Sequence, residues 1–141
     1  MTIEAPDDYR LDAQVGFLLR KATQRHLAIF AALMPDLTPR QFAALAKLCE
    51  LGPTSQNALG RATAMDIATI KGVADRLRAK GLVAALPDPA DRRRLVLAPT
   101  EAGRASYAAA RPEAHRITAE TLEPLSPDER MTFVALLARL G

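Results

Sequence analysis

Tryptophan is absent from these 141 residues, and aromatic residues make up only 4%. Apolar content is still 49%. A core must therefore come from alanine, leucine and other aliphatics, which leans the chain towards helix. The single cysteine, Cys49, excludes an internal disulfide. No apolar run approaches the ~18 residues needed to span a bilayer. The N-terminus carries Glu4, Asp7, Asp8 and Asp12 against Arg10, without the basic start and apolar stretch of a secretory leader. These absences point to a cytoplasmic protein with no membrane partner. Glycine-rich phosphate loops, nucleophile elbows and clustered Cys/His ligands are also missing. No catalytic residue, cofactor or metal site is indicated, and an enzyme is disfavoured. The length suits one domain with a real core.

Positive charge is present, and it is local. Between Asp66 and Arg94 lie seven basic residues (Lys71, Arg76, Arg78, Lys80, Arg92, Arg93, Arg94) and four acidic ones. That segment holds the whole net charge of +3. Such a concentration suits a polyanion-binding surface. A solvated charged face is the plain alternative.

Periodicity and capping signals divide the chain. Val15, Leu18, Leu19, Ala22, Ile29 and Leu33 recur at helical spacing, which predicts a first helix from about Leu11 to Leu33, ended by Pro35. Thr38-Pro39-Arg40-Gln41 is a capping box with proline at the first helical position. Gly52-Pro53 closes the second helix. Ser55 caps a short third helix through about Ala62. Asp66 caps a fourth, whose buried stripe is Ile67, Ile70, Val73, Ala74 and Leu77. Lys80 lies in its last turn and Gly81 just beyond, as helices usually end. Leu82–Leu86 and Arg94–Ala98 form a β-hairpin around the turn cluster Asp88-Pro89-Ala90-Asp91. A long helix from Thr100 to about Leu122 contains Pro112, which should kink or divide it. Ser126-Pro127-Asp128-Glu129 is a second capping box and opens a last helix through Leu140.

This order predicts a mainly α fold: a winged helix-turn-helix with N- and C-terminal dimerisation helices. A DNA-binding lobe would span about 37–100. A dimerisation lobe would span about 9–34 plus 101–141. The first and last helices carry more apolar surface than a small monomer leaves wet, so a symmetric homodimer is expected. Packing within one chain is the alternative.

The second helix of a helix-turn-helix lies in the major groove. Here that is the helix capped by Asp66. Thr69 offers a hydroxyl and a methyl to base edges, and Lys71 reaches guanine acceptors or a phosphate. Gly72 is costly inside a helix, by about 1 kcal/mol relative to alanine. Close approach of DNA, or of a neighbouring helix, would explain it. Arg76 and Arg78 point to different faces, so at most one of them is expected to face DNA in the groove, with Arg76 the DNA-binding candidate and the other at the rim or the dimer surface. Arg92, Arg93 and Arg94 at a loop tip suit the narrow minor groove. Asp66 and Asp91 are expected to orient wing arginines, beside their roles as helix cap and turn former.

The segment Asp88-Pro89-Ala90-Asp91-Arg92-Arg93, with Leu95-Val96-Leu97 and Thr100-Glu101-Ala102-Gly103, resembles the wing of MarR-family regulators. Leu37-Thr38-Pro39-Arg40-Gln41-Phe42, Ala68-Thr69-Ile70 through Lys80-Gly81-Leu82-Val83, and Leu125-Ser126-Pro127-Asp128-Glu129 resemble the same family in the right order. The resemblance implies an obligate dimer built from the first helix and the last two. It implies repressor-type binding to double-stranded DNA at a pseudo-palindromic operator, relieved by a small ligand. It places the wing arginine at Arg93 in the minor groove, with Asp66 pairing to it, and turns Ile67, Thr69 and Lys71 towards bases. Pro99 departs from the family's usual leucine. Lys71 and Gly72 also depart from the usual recognition helix.

The first helix, with Phe17-Leu18-Leu19-Arg20 and Gln24-Arg25-His26, is similar to MarR regulators of aromatic-acid catabolism. An aromatic carboxylate effector is therefore expected, with Arg20, Arg25, His26 and His115 as candidate ligand residues. An interface role for His26 and a surface role for His115 are the alternatives. Cys49 raises a cysteine-based redox-sensing reading. Its place on an apolar helix favours a buried, inert thiol. A winged-helix module that binds protein or RNA is a further alternative.

Overall fold

The computed structural model describes residues 8–141. The acidic N-terminal residues Glu4 and Asp7 lie outside them. Helix α1 (Val15–Leu33) is followed by α2 (Pro39–Leu51), α3 (Gln56–Ala62) and α4 (Ile67–Ala79). Strands β1 (Val83–Pro87) and β2 (Leu95–Pro99) come next, then α5 (Glu101–Thr121) and α6 (Pro127–Ala138). No described helix is long and apolar enough to cross a membrane.

Capping chemistry sets the helix starts. Thr38 and Ser126 both complete reciprocal capping boxes, with Gln41 and Glu129. Ser55, Asp66 and Thr100 accept from the backbone N–H three residues on. Gly81 ends α4 at φ 75°, a left-handed backbone that suits glycine.

Both strands start and end one residue later than the sequence pattern, and α6 ends at Ala138 rather than Leu140; two other differences are larger. The first helix does not begin at Leu11: Leu11–Ala13 is a separate 3-10 turn, and Gln14 is extended before α1 starts. Pro112 does not divide α5. Its missing N–H frees the carbonyl of Ala108, and both residues are exposed, so water can take that carbonyl.

One continuous core joins α1, α2, α3, α4, β1, β2 and α5. Leu45, Leu48, Leu59, Ile70 and Leu77 are its largest fully buried side chains, and Phe30 and Ile117 extend it towards α1 and α5. Ile70, Val73, Ala74 and Leu77 form the buried stripe of α4. Ile67 does not belong to it. At 71% exposure it stands out from the body of the protein. The helix has only just begun there, and its first turn projects beyond the core.

The hairpin pairs Val83 with Pro99 through Pro87 with Leu95, antiparallel. Thr54 bridges to Leu97 through two backbone hydrogen bonds of 2.9 and 2.8 Å, which ties the α2–α3 loop to the wing. The base of the hairpin is latched to α5. Thr100 donates from its hydroxyl to the Gly81 carbonyl, 2.7 Å, and from its N–H to the Leu82 carbonyl, 3.0 Å. Gly103 lies so close that a Cβ there would collide with the Leu82 carbonyl. Gly103→Ala is expected to destabilise the fold by about 1–3 kcal/mol through overpacking against backbone. A lowered urea midpoint checks this, and an unchanged midpoint contradicts it.

Candidate DNA-reading surface

The wing turn is built by its own aspartates. Asp88 accepts from Ala90 N–H at 2.9 Å, and Asp91 accepts from Arg93 N–H at 3.1 Å. The Asp88 N–H donates to the Arg94 carbonyl, and the Arg94 N–H to the Asp91 carbonyl, each at 2.9 Å. Asp91 also takes the Arg93 Nε at 3.3 Å. It therefore shapes the turn and orients Arg93, whose side chain remains 93% exposed. Arg92 and Arg94 are exposed beside it. A guanidinium held by one edge, on a tip that projects into solvent, keeps its other donors free.

The start of α4 is equally ordered. Asp66 Oδ1 accepts from Thr69 N–H at 2.7 Å. Hydrogen bonds from the Thr69 hydroxyl and amide hold the Asp66 carboxyl below the usual carboxylate range, and the charge of Arg40 acts in the same direction. The expected pairing of Asp66 with a wing arginine is not seen: among the described residues no ion pair links them, and Asp91 alone holds Arg93. The Asp66 carboxylate bonds Thr69 at its own helix end and stays exposed.

Exposed residues of α4 fall into two stripes. Ile67, Lys71 and Asp75 are four apart and lie one above another. Lys71 Nζ bonds Asp75 Oδ2 at 3.0 Å along that stripe, an exposed pair weak enough to exchange for another anionic or acceptor partner. Ala68, Gly72 and Arg76 form the neighbouring stripe. They line a cleft of about 740 Å³ with Thr23 and Leu27 of α1 and Thr38 and Arg40 at the start of α2. Thr69 also borders this cleft. Gly72 has open space where a Cβ would sit, so no packing among the described residues requires glycine there. Lys80 is turned away from the stripes. Its Nζ donates to the Asp36 carbonyl at 2.6 Å and to Gln41 Oε1 at 3.2 Å, which ties the end of α4 to the start of α2.

The four candidate effector residues do not converge within one protomer. Arg25 donates to the carbonyls of Glu120, at 2.7 Å, and Thr121, at 3.4 Å. These belong to the last turn of α5, whose carbonyls lack helical partners. His26 Nδ1 bonds the Thr121 hydroxyl at 2.9 Å and borders a cavity of about 350 Å³ between α1, α5 and α6. His115 lines a different hollow, with Arg130 and Met131. Arg20 is exposed on α1. Arg40 and Thr23, in the cleft beside α4, were not singled out by sequence. Arg40 lies inside the Thr38–Gln41 capping box, whose sequence signature marks a helix start and carries no information on what the arginine faces.

Cys49 is half-buried on α2. Desolvation pushes its thiol up, and Arg104 opposes this only in part. A thiol kept protonated is a poor redox nucleophile.

The MarR family model matches residues 37–95, from the turn before α2 to the first residue of β2. The transcriptional repressor NicR of Pseudomonas putida is 45% identical over 134 residues, covering 94% of this chain and 85% of NicR. The chain belongs to the MarR family. MarR-type proteins are transcriptional regulators, and the six helices with a two-stranded wing are the family's winged-helix arrangement. BpsR of Bordetella bronchiseptica, whose DNA binding is regulated by 6-hydroxynicotinic acid, superposes with a TM-score of 0.90 at 43% identity, over 94% of this chain and 96% of BpsR. A cysteine-to-serine mutant of MarR from Escherichia coli, in complex with operator DNA, superposes with a TM-score of 0.81 at 26% identity, over 89% and 92% of the two chains.

Proposed function

We propose that this MarR-type regulator is a homodimeric repressor that binds a pseudo-palindromic DNA duplex and leaves it when a small aromatic carboxylate binds. Residues of about 37–100 form the DNA-binding lobe, and 9–34 with 101–141 the dimerisation lobe. Each protomer lays the exposed face of α4 in the major groove and the wing in the adjacent minor groove. Ile67, Thr69 and Lys71 face bases; Asp66 sets the helix start; Arg92, Arg93 and Arg94 meet the backbone and minor groove, with Asp91 holding Arg93. The observation that carries this reading is the projecting arginine tip on its Asp-built turn, on the same lobe as the open α4 face.

The effector reading rests on the cleft between α1, α2 and α4. Arg40 and Arg76 line it, with Thr23 of α1, while the Thr38 hydroxyl caps α2 and the Thr69 hydroxyl bonds Asp66. A carboxylate suits paired arginine donors, and an aromatic ring suits Leu27 and Val73. Arg25 is already bonded to the end of α5, so it is the weaker candidate. Because Thr69 and Arg76 belong to α4, a ligand held there binds differently to the DNA-reading and released forms, which is what release requires. Titration of a fluorescent duplex selected by the protein, with and without 6-hydroxynicotinic acid, tests the reading. The expected result is at least tenfold weaker DNA binding at saturating acid, with Arg40→Ala needing far more acid. Unchanged DNA affinity with this acid and with other aromatic carboxylates contradicts it.

A further inference from the structure

Ile67 is the most exposed large apolar side chain of the lobe that carries α4 and the wing. Core burial does not account for it. A β-branched residue at the first helical position brings little to helix stability. It is also the only apolar member of its stripe: the next residues on that face are Lys71 and Asp75, joined to each other. The cleft beside α4 takes Ala68, Thr69, Gly72 and Arg76 and leaves Ile67 on the outer face.

Major-groove base edges offer donors and acceptors, and one apolar group, the C5-methyl of thymine. We propose that Ile67 is a specificity-determining residue that reads a thymine methyl group in each half-site. The inference rests on α4 being the groove helix and goes beyond it by naming the base and the group recognised. Four residues along a helix span about 6 Å, so the thymine lies within about two base pairs of the position that Lys71 reaches. The Asp66 cap fixes the first turn and so fixes where the Ile67 side chain stands. A methyl–isoleucine contact then needs little ordering on binding.

Uracil in place of thymine removes the methyl and keeps the base pair. The test begins with a duplex selected from a random pool by the full-length chain. Thymines are then replaced by uracil in symmetric pairs, and affinity is measured by fluorescence anisotropy at fixed salt for wild type and Ile67→Ala. At one symmetric pair, wild type is expected to lose about fourfold per methyl, or about fifteenfold per dimer, matching ~0.8 kcal/mol for each methyl-sized group returned to water. Ile67→Ala is expected to bind the thymine and uracil duplexes equally there, and Ile67→Val to keep most of the difference. Unchanged melting of Ile67→Ala verifies its fold. Wild type indifferent to every replacement overturns the proposal, and so does Ile67→Ala retaining the full thymine preference, which would put the methyl against another residue such as Thr69. Failure of the chain to select any sequence would instead overturn the groove-helix reading itself.

Discussion

Arg93→Ala lowers affinity for a selected duplex by at least about thirtyfold, since a groove contact carries about 1–3 kcal/mol and a dimer has two wings. The fold should not feel the change. Arg93 buries almost nothing, and its one side-chain bond is to the Asp91 it sits beside. Its melting temperature should therefore match wild type, which separates lost contact from lost structure. The salt dependence should also flatten. Two fewer cationic contacts reduce the slope of log affinity against log salt by about 2. Arg93→Lys keeps the charge and loses the planar fork, so it should recover the slope but only part of the affinity. A titration in which Arg93→Ala binds as tightly as wild type would remove the wing from the account.

Leu137→Glu converts the dimer to a monomer. Val15, Leu18, Leu19 and Ala22 of α1 face Phe133, Leu136, Leu137 and Leu140 of the α6 segment across an open apolar hollow of about 580 Å³. Leu137 borders both this hollow and the cavity at His26. Leucines at 18, 19, 136, 137 and 140 are all exposed in the isolated chain. A contiguous apolar face of this kind on a small protein marks an interaction surface, and a second copy is the partner that closes it by symmetry. A glutamate there puts an unpaired carboxylate from each protomer into the interface, at a cost of several kcal/mol per ion. Light scattering should report one chain's mass, 15.2 kDa, in place of two. DNA affinity should fall by a further ~10²–10⁴, because the second half-site is no longer engaged intramolecularly. Far-UV circular dichroism should stay helical, since Leu137 lies outside the core. A Leu137→Glu protein that remains dimeric would show that another face joins the protomers.

Much of this was legible in the sequence, for local reasons. Thr38, Ser55, Asp66, Thr100 and Ser126 cap helices because a side-chain oxygen, followed three residues later by a free N–H, is a near-neighbour arrangement that any tertiary context preserves. The wing was legible because Asp88 and Asp91 bond backbone within two residues of themselves. What was not legible depends on distance in the chain. Thr54 pairs with Leu97 across 43 positions, and nothing in either segment announces it. Arg25 and His26 bond Glu120 and Thr121, about 95 residues away, and nothing near them in the sequence announces those partners. Ile67 is a different failure. Apolar periodicity is the same whether the first member of a stripe meets the core or overshoots it, and only the position of the helix end relative to the core decides. Gln14 carries no breaker signal, so the separate turn before α1 left no trace either.

The central claim is that α4 and the wing together read duplex DNA. Affinity for a selected duplex and for a scrambled duplex of equal length, measured across a salt series, tests it most directly. The account predicts a selected-to-scrambled ratio of about 10³ or more, and a steep loss of affinity for both as salt rises. Equal affinity for the two duplexes at every salt concentration would contradict it.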